Sequence, residues 1–133
     1  DFYEDHYRKI LNFGHTIGHC VESYFLNTST PLLHGEAIII GMICEAYLSY
    51  KKTSFPKEVL STIVDKLNTI FKFKNIDNDE IKLISQFALQ DKKNSEMQIK
   101  CVLLESIGHP KIDVVITEKE LVESLEFYNS LQK

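Results

Sequence analysis

The chain has 133 residues, 44% of them hydrophobic and 26% charged, with a formal net charge of −4. That length suits one domain with its own core and is too short for two ordinary ones. An acidic balance without a basic block argues against nucleic acid as a partner, and no apolar run approaches the roughly 20 residues of a membrane span.

The chain opens Asp1-Phe2 without a methionine and runs straight into a charged helical pattern, so further sequence is expected upstream. Over residues 4–26, Ile10, Phe13, Ile17, Val21 and Tyr24 recur at three- and four-residue steps, which predicts one continuous helix. Residues 27–31, Asn-Thr-Ser-Thr-Pro, carry the chemistry of a loop. A second helix is predicted over 34–51; it is apolar nearly all round and should lie at the domain centre. Pro56 stands near the first turn of a third helix that continues to about residue 71.

Residues 77–79 offer N-caps for a fourth helix running through Ile81, Ile84, Phe87 and Ala88 toward Asp91. After Lys93 the period changes. Residues 98–104 and 111–116 read as two short strands about a turn at Gly108-His109-Pro110. Thr117 then caps a last helix, with Glu120 as its capping-box partner. The fold class expected is mainly α, a single helical domain over 1–133 with one small β-hairpin near residues 98–116. No Gly-rich nucleotide loop of the G-x-G-x-x-G kind occurs.

Cys20, Cys44 and Cys101 are far apart, odd in number and set among apolar neighbours. They read as reduced core thiols, and a cytoplasmic protein without a signal peptide is expected.

The chemistry gathers in the first helix. Glu4, Arg8, Asn12, His15 and His19 fall at spacings of 4, 4, 3 and 4, which lines them along one stripe. An ordinary wet face carries interchangeable Lys and Glu. This one offers an acid, a guanidinium, an amide and two imidazoles, while Gly14 and Gly18 admit a close approach to the backbone. Arginine provides a fork for a carboxylate, and histidine provides neutral metal ligands or proton transfer. His34 opens the second helix in Leu33-His34-Gly35-Glu36, so two antiparallel helices could meet near one divalent ion. Spacing alone favours His15 and His19 as the ligand pair with His34 third, plus a carboxylate. His6 and His109 read as surface and turn residues, Glu36 as a complement to the helix dipole, and Glu45 as a buried group with a structural partner.

The run Arg8-Lys9-Ile10-Leu11-Asn12-Phe13-Gly14-His15-Thr16-Ile17-Gly18-His19, followed by Leu33-His34-Gly35-Glu36-Ala37 and Gly41-Met42, resembles the 3-dehydroquinate synthase family. Asp91-Lys92-Lys93 ahead of a strand ending in Ile107-Gly108 extends the resemblance over nearly the whole chain. It implies the family's C-terminal metal- and substrate-binding domain. The expected reaction converts 3-deoxy-D-arabino-heptulosonate 7-phosphate to 3-dehydroquinate and phosphate, in the shikimate pathway of aromatic amino acid biosynthesis. NAD and one divalent ion, zinc or cobalt, are the implied cofactors, and a homodimer is implied for the full-length enzyme.

Position by position, the resemblance implies His15 and His34 as metal ligands. His19 moves beside the substrate, as proton acceptor or phosphate contact, which departs from the pairing that spacing favours. Arg8 and Asn12, with His15 and His19 adjacent, hold the substrate carboxylate and hydroxyls. Glu4 is a second acid/base position, and Lys92 or Lys93 neutralises the phosphate. The third metal ligand, a glutamate, and the NAD-binding domain are expected upstream, so the fragment alone is expected to be inactive. Rival readings are another sugar-phosphate cyclase, a metal-dependent polyol dehydrogenase such as glycerol dehydrogenase, and a non-catalytic helical metal-binding module.

Overall fold

Apolar side chains recurring every third or fourth residue form helices here wherever a capping group and a breaker bound them. The computed structural model describes residues 12–94 and 98–131, with the backbone alone over 91–94. In chain order the elements are α1 (His15–Leu26), α2 (His34–Lys52), α3 (Lys57–Ile70), α4 (Asn78–Asn94), β1 (Lys100–Ser106), β2 (His109–Val115) and α5 (Glu118–Ser130). The architecture is mainly helical with one antiparallel hairpin, as the periodicity predicts. Among the described residues no helix is long and apolar enough to cross a membrane.

Helix α2 is central because most of its circumference is apolar. Ala37, Ile40, Ile43, Cys44, Ala46 and Leu48 are all buried, and so are the polar Glu45 and Ser49. Ile17, Val21 and Phe25 of α1 join the same core, with Ile81 and Ile84 of α4, Cys101 and Leu103 of β1, and Leu121, Leu125 and Tyr128 of α5. A smaller cluster of Ala46, Phe55 and Leu60 seats α3, with Phe13 packed against it.

Helices α1 and α2 touch backbone to backbone. A Cβ at Gly41 would collide with the Gly14 carbonyl oxygen and stand 2.6 Å from the Gly18 nitrogen. The close approach that Gly14 and Gly18 permit is therefore occupied by α2 itself. On its other side α2 is tied to the hairpin, where the Ser49 hydroxyl accepts from the Leu104 N–H at 2.8 Å. Thr53 reaches the Leu104 carbonyl at 2.7 Å. Tyr47 stacks on Phe127 with ring centres 4.5 Å apart, fixing α5 against the same helix.

The capping predictions are borne out in detail. Thr117 accepts from the Glu120 N–H while Glu120 accepts from the Thr117 N–H. Asp77 and Glu80 make the same reciprocal pair at the start of α4. Leu33 N–H donates to Glu36 at 2.9 Å, so Glu36 satisfies an N-terminal donor of α2.

Several expectations need correcting. The predicted helix over 4–26 is not continuous: residues 12–14 form a turn, and α1 begins at His15. Gly14 has φ +85°, a left-handed conformation that no helix passes through. Asn12 therefore does not share a helical stripe with His15 and His19. Phe87 is 40% exposed although its spacing with Ile84 pointed inward. The hairpin turn lies at residues 107–108, so His109 and Pro110 already belong to β2. From Cys101 to Leu103 the partner strand steps from Val114 to Lys111, and Asp113 absorbs the extra residue at φ 55°.

Candidate metal centre

The start of α1 has no side chain of its own to cap it. Glu45, wholly buried on α2, supplies the missing acceptor from across the helix interface. Its two carboxyl oxygens accept from the Gly14 N–H at 2.8 Å and the Ile17 N–H at 3.1 Å. Burial raises its pKa to about 8, and the N–H donors of Ile17, Gly14 and Thr16 pull the other way without cancelling it. The residues on both sides of His15 are thereby anchored to α2, and that fixes where the first imidazole stands. Glu45 is the structural group that its apolar setting predicts.

His15 opens α1, His19 follows one turn later, and His34 opens α2. Helices α1 and α2 pack with Gly14 against Met42 and Gly18 against Ala37, and the three rings come together across that pair. Their centres are 5.7 Å apart for His15 and His19, 6.0 Å for His15 and His34, and 6.0 Å for His19 and His34. Two imidazoles sharing one tetrahedral ion, with nitrogens about 2.0–2.1 Å from it, hold their centres about 5 Å apart. Each pair is thus near that separation already.

The hydrogen bonds distinguish the rings. His15 Nδ1 lies 3.3 Å from the Phe13 carbonyl oxygen, and His34 Nδ1 lies 3.2 Å from each oxygen of Glu22. Carbonyls and carboxylates accept and do not donate, so each contact calls for a proton on Nδ1, and a neutral ring that makes it has its lone pair on Nε2. That is the tautomer a metal ligand needs. His19 has no such anchor among the described residues. The ligand atoms of His19, Glu22 and His34 also lie within 4.8 Å of one another, a tighter group than any that includes His15 among the described residues. The donor set of neutral imidazoles beside a carboxylate suits a borderline divalent ion such as zinc or cobalt.

Glu22 was missed by the sequence reading. It continues the stripe of His15 and His19 by three more residues, and that spacing was the available signal. Asn12 is exposed, in the turn just before the histidines. Lys92 and Lys93 fall in the last turn of α4, with side chains outside what is described, and Glu4, Arg8 and His6 lie outside the described residues altogether. Burial pushes the thiols of Cys44 and Cys101 well up from the ordinary thiol range.

Residues 1–94 match the model of the 3-dehydroquinate synthase C-terminal family. The chain belongs to that family. Similar relatives are the 3-dehydroquinate synthases of Parabacteroides distasonis, 38% identical over 91% of this chain and 34% of that protein, and of Thermodesulfovibrio yellowstonii, 40% identical over 89% and 33%. The chain therefore spans about a third of the length of the curated relatives it matches. Among solved structures, 2-deoxy-scyllo-inosose synthase in complex with carbaglucose-6-phosphate, NAD+ and Co2+ superimposes with a TM-score of 0.69 at 26% identity, over 89% of this chain and 33% of that one. The 2-epi-5-epi-valiolone synthase of Streptomyces hygroscopicus, with NAD+ and Zn2+ bound, shares the fold at a TM-score of 0.68 and 21% identity, over 90% and 32%. The dehydroquinate synthase-like architecture expected from the N-F-G-H-T-I-G-H and L-H-G-E-A runs is the one observed.

Proposed function

We propose that these 133 residues are the metal- and substrate-binding domain of a 3-dehydroquinate synthase, in which His15 and His34 hold one divalent ion. The observation that supports this reading is shared by the two rings: their centres lie 6.0 Å apart, and each has an acceptor at Nδ1, which leaves Nε2 as the nitrogen available to an ion. Zinc or cobalt bound there would act as a Lewis acid on the substrate hydroxyl to be oxidised by NAD. The third ligand, a glutamate, and most of the NAD site would come from the part of such an enzyme that this chain does not span.

The chain's own residues then divide the remaining work. His19, one helical turn from His15 and without a locked tautomer, accepts a proton from the substrate or contacts its phosphate. Arg8 and Asn12 hold the carboxylate and hydroxyls, so that elimination and ring closure occur in a fixed geometry. Glu4 serves as a second acid/base group, and Lys92 or Lys93 neutralises the phosphate. The substrate is 3-deoxy-D-arabino-heptulosonate 7-phosphate, and the products are 3-dehydroquinate and phosphate. Taken alone, the 133 residues bind metal weakly and do not turn over, because two of three ligands and half a substrate site give little affinity.

Replacing His15 or His34 by alanine in the enzyme that contains this domain tests the assignment. The expected result is loss of bound metal and of turnover; unchanged metal content removes the role. A second reading, another sugar-phosphate cyclase, draws on the likeness to 2-deoxy-scyllo-inosose synthase. The higher identities to 3-dehydroquinate synthases favour the first, and product analysis separates them.

A further inference from the structure

Resting on the reading of His34 as a ligand, we infer that Glu22 is the residue that positions it. Both Glu22 oxygens lie 3.2 Å from His34 Nδ1, so the carboxylate straddles one N–H rather than merely passing near it. Glu22 is less than a quarter exposed, whereas His34 is more than half exposed. An imidazole at the first residue of a helix, open to water, has little packing to hold its ring. The contact with Glu22 is the one hydrogen-bonded anchor of the His34 ring among the described residues.

Three consequences follow from this single contact. It places the proton on Nδ1 and leaves Nε2 as the ligating atom. It fixes the ring plane relative to α1, on which His15 stands, because Glu22 is a residue of α1 while His34 belongs to α2. It also raises the basicity of Nε2 by partial charge transfer through the hydrogen bond, the arrangement found in carboxylate–histidine–metal triads. The hydrogen bond to the Phe13 carbonyl does the same orienting work for His15, so the two ligands are held by different kinds of acceptor.

The competing role for Glu22 is that of a ligand in its own right, since its carboxylate also lies within 4.8 Å of the ligand atoms of His19 and His34. Geometry favours the positioning role. An oxygen already engaged with Nδ1 faces the side of the ring opposite Nε2, and both oxygens are so engaged.

The test combines zinc titration of the chain with nitrogen NMR of the histidine rings, in the wild type and in Glu22→Ala and Glu22→Gln. In the wild type, His34 should show a protonated Nδ1 before zinc and a shift confined to Nε2 on adding it. Glu22→Ala should lose the single tautomer and weaken zinc binding about 10- to 100-fold. Glu22→Gln, whose amide oxygen still accepts from Nδ1, should keep the tautomer and recover most of the affinity. Equal affinities and an unchanged tautomer in Glu22→Ala would overturn the inference, and so would zinc on Nδ1 in the wild type or a Gln variant as weak as Ala. If zinc moves neither His15 nor His34 in the wild type, the ligand assignment fails instead, whatever Glu22 does to the tautomer.

Discussion

Glu45 caps a helix to which it does not belong: its carboxyl oxygen accepts the Gly14 N–H at 2.8 Å across the α1–α2 interface. The contact couples the fold to the site, since the same carboxyl also holds Ile17 and so brackets His15. Its ionisation consequently bears on stability. The carboxyl's pKa rises from an ordinary 4.5 to about 8 on folding, chiefly through burial. A group with a raised folded pKa binds more protons folded than unfolded, so its contribution is fully present below about 4.5 and is lost as pH rises through about 8. Urea midpoints should fall between pH 5 and pH 8.5. Glu45→Gln should flatten that slope while costing about 1–3 kcal/mol, because its amide NH₂ must face a backbone N–H.

Gly41→Ala should be among the most damaging small substitutions in the chain. The new methyl meets the backbone of Gly14 and Gly18, which cannot rotate away as a side chain would. Overpacking of this kind costs about 3 kcal/mol or more when backbone must move. The displaced helices would also carry the imidazoles apart. Gly35→Ala is the control, since a Cβ there meets nothing within 4 Å. It should leave stability unchanged or raise it by up to about 1 kcal/mol, as alanine usually does in a helix. Chemical denaturation of both variants checks the contrast.

Thr117→Ala should cost about 1 kcal/mol by removing the acceptor of the Glu120 N–H at the start of α5. The loss is felt globally, because α5 contributes Leu121, Leu125 and Tyr128 to the main core. A lowered urea midpoint without a changed m-value is the expected signature.

Zinc should stabilise the folded chain in proportion to its occupancy, by about 3 kcal/mol when free zinc is a hundred times its dissociation constant. Chelation should reverse the shift, and His34→Ala should abolish it. A thermal melt insensitive to zinc at every concentration would count against ligation at His15 and His34.

Element types were readable because each rests on local chemistry. Thr117 and Glu120 announce a capping box three residues apart, and the all-round apolar stretch from Ala37 to Leu48 can only be central. What misled was the assumption that one periodicity means one helix. Ile10, Phe13 and Ile17 keep helical spacing across a turn, and only the left-handed Gly14, satisfied by a glutamate 31 residues away, reveals the break. Phe87 fails for a related reason: a 3.6-residue period leaves the edge of the buried stripe undecided, and packing sets it. At the site, His15, His19 and His34 were legible as a set and are brought together. Glu22 was not singled out, since its partner lies on another helix and an acid on a wet face looks ordinary in sequence.

The three rings come from positions 15, 19 and 34, and the loop that joins their two helices is only seven residues long. Closing so small a loop is fast and entropically cheap compared with docking the hairpin or α5. The nest of imidazoles should therefore take shape early as the chain folds, before the more distant elements arrive to bury its scaffold.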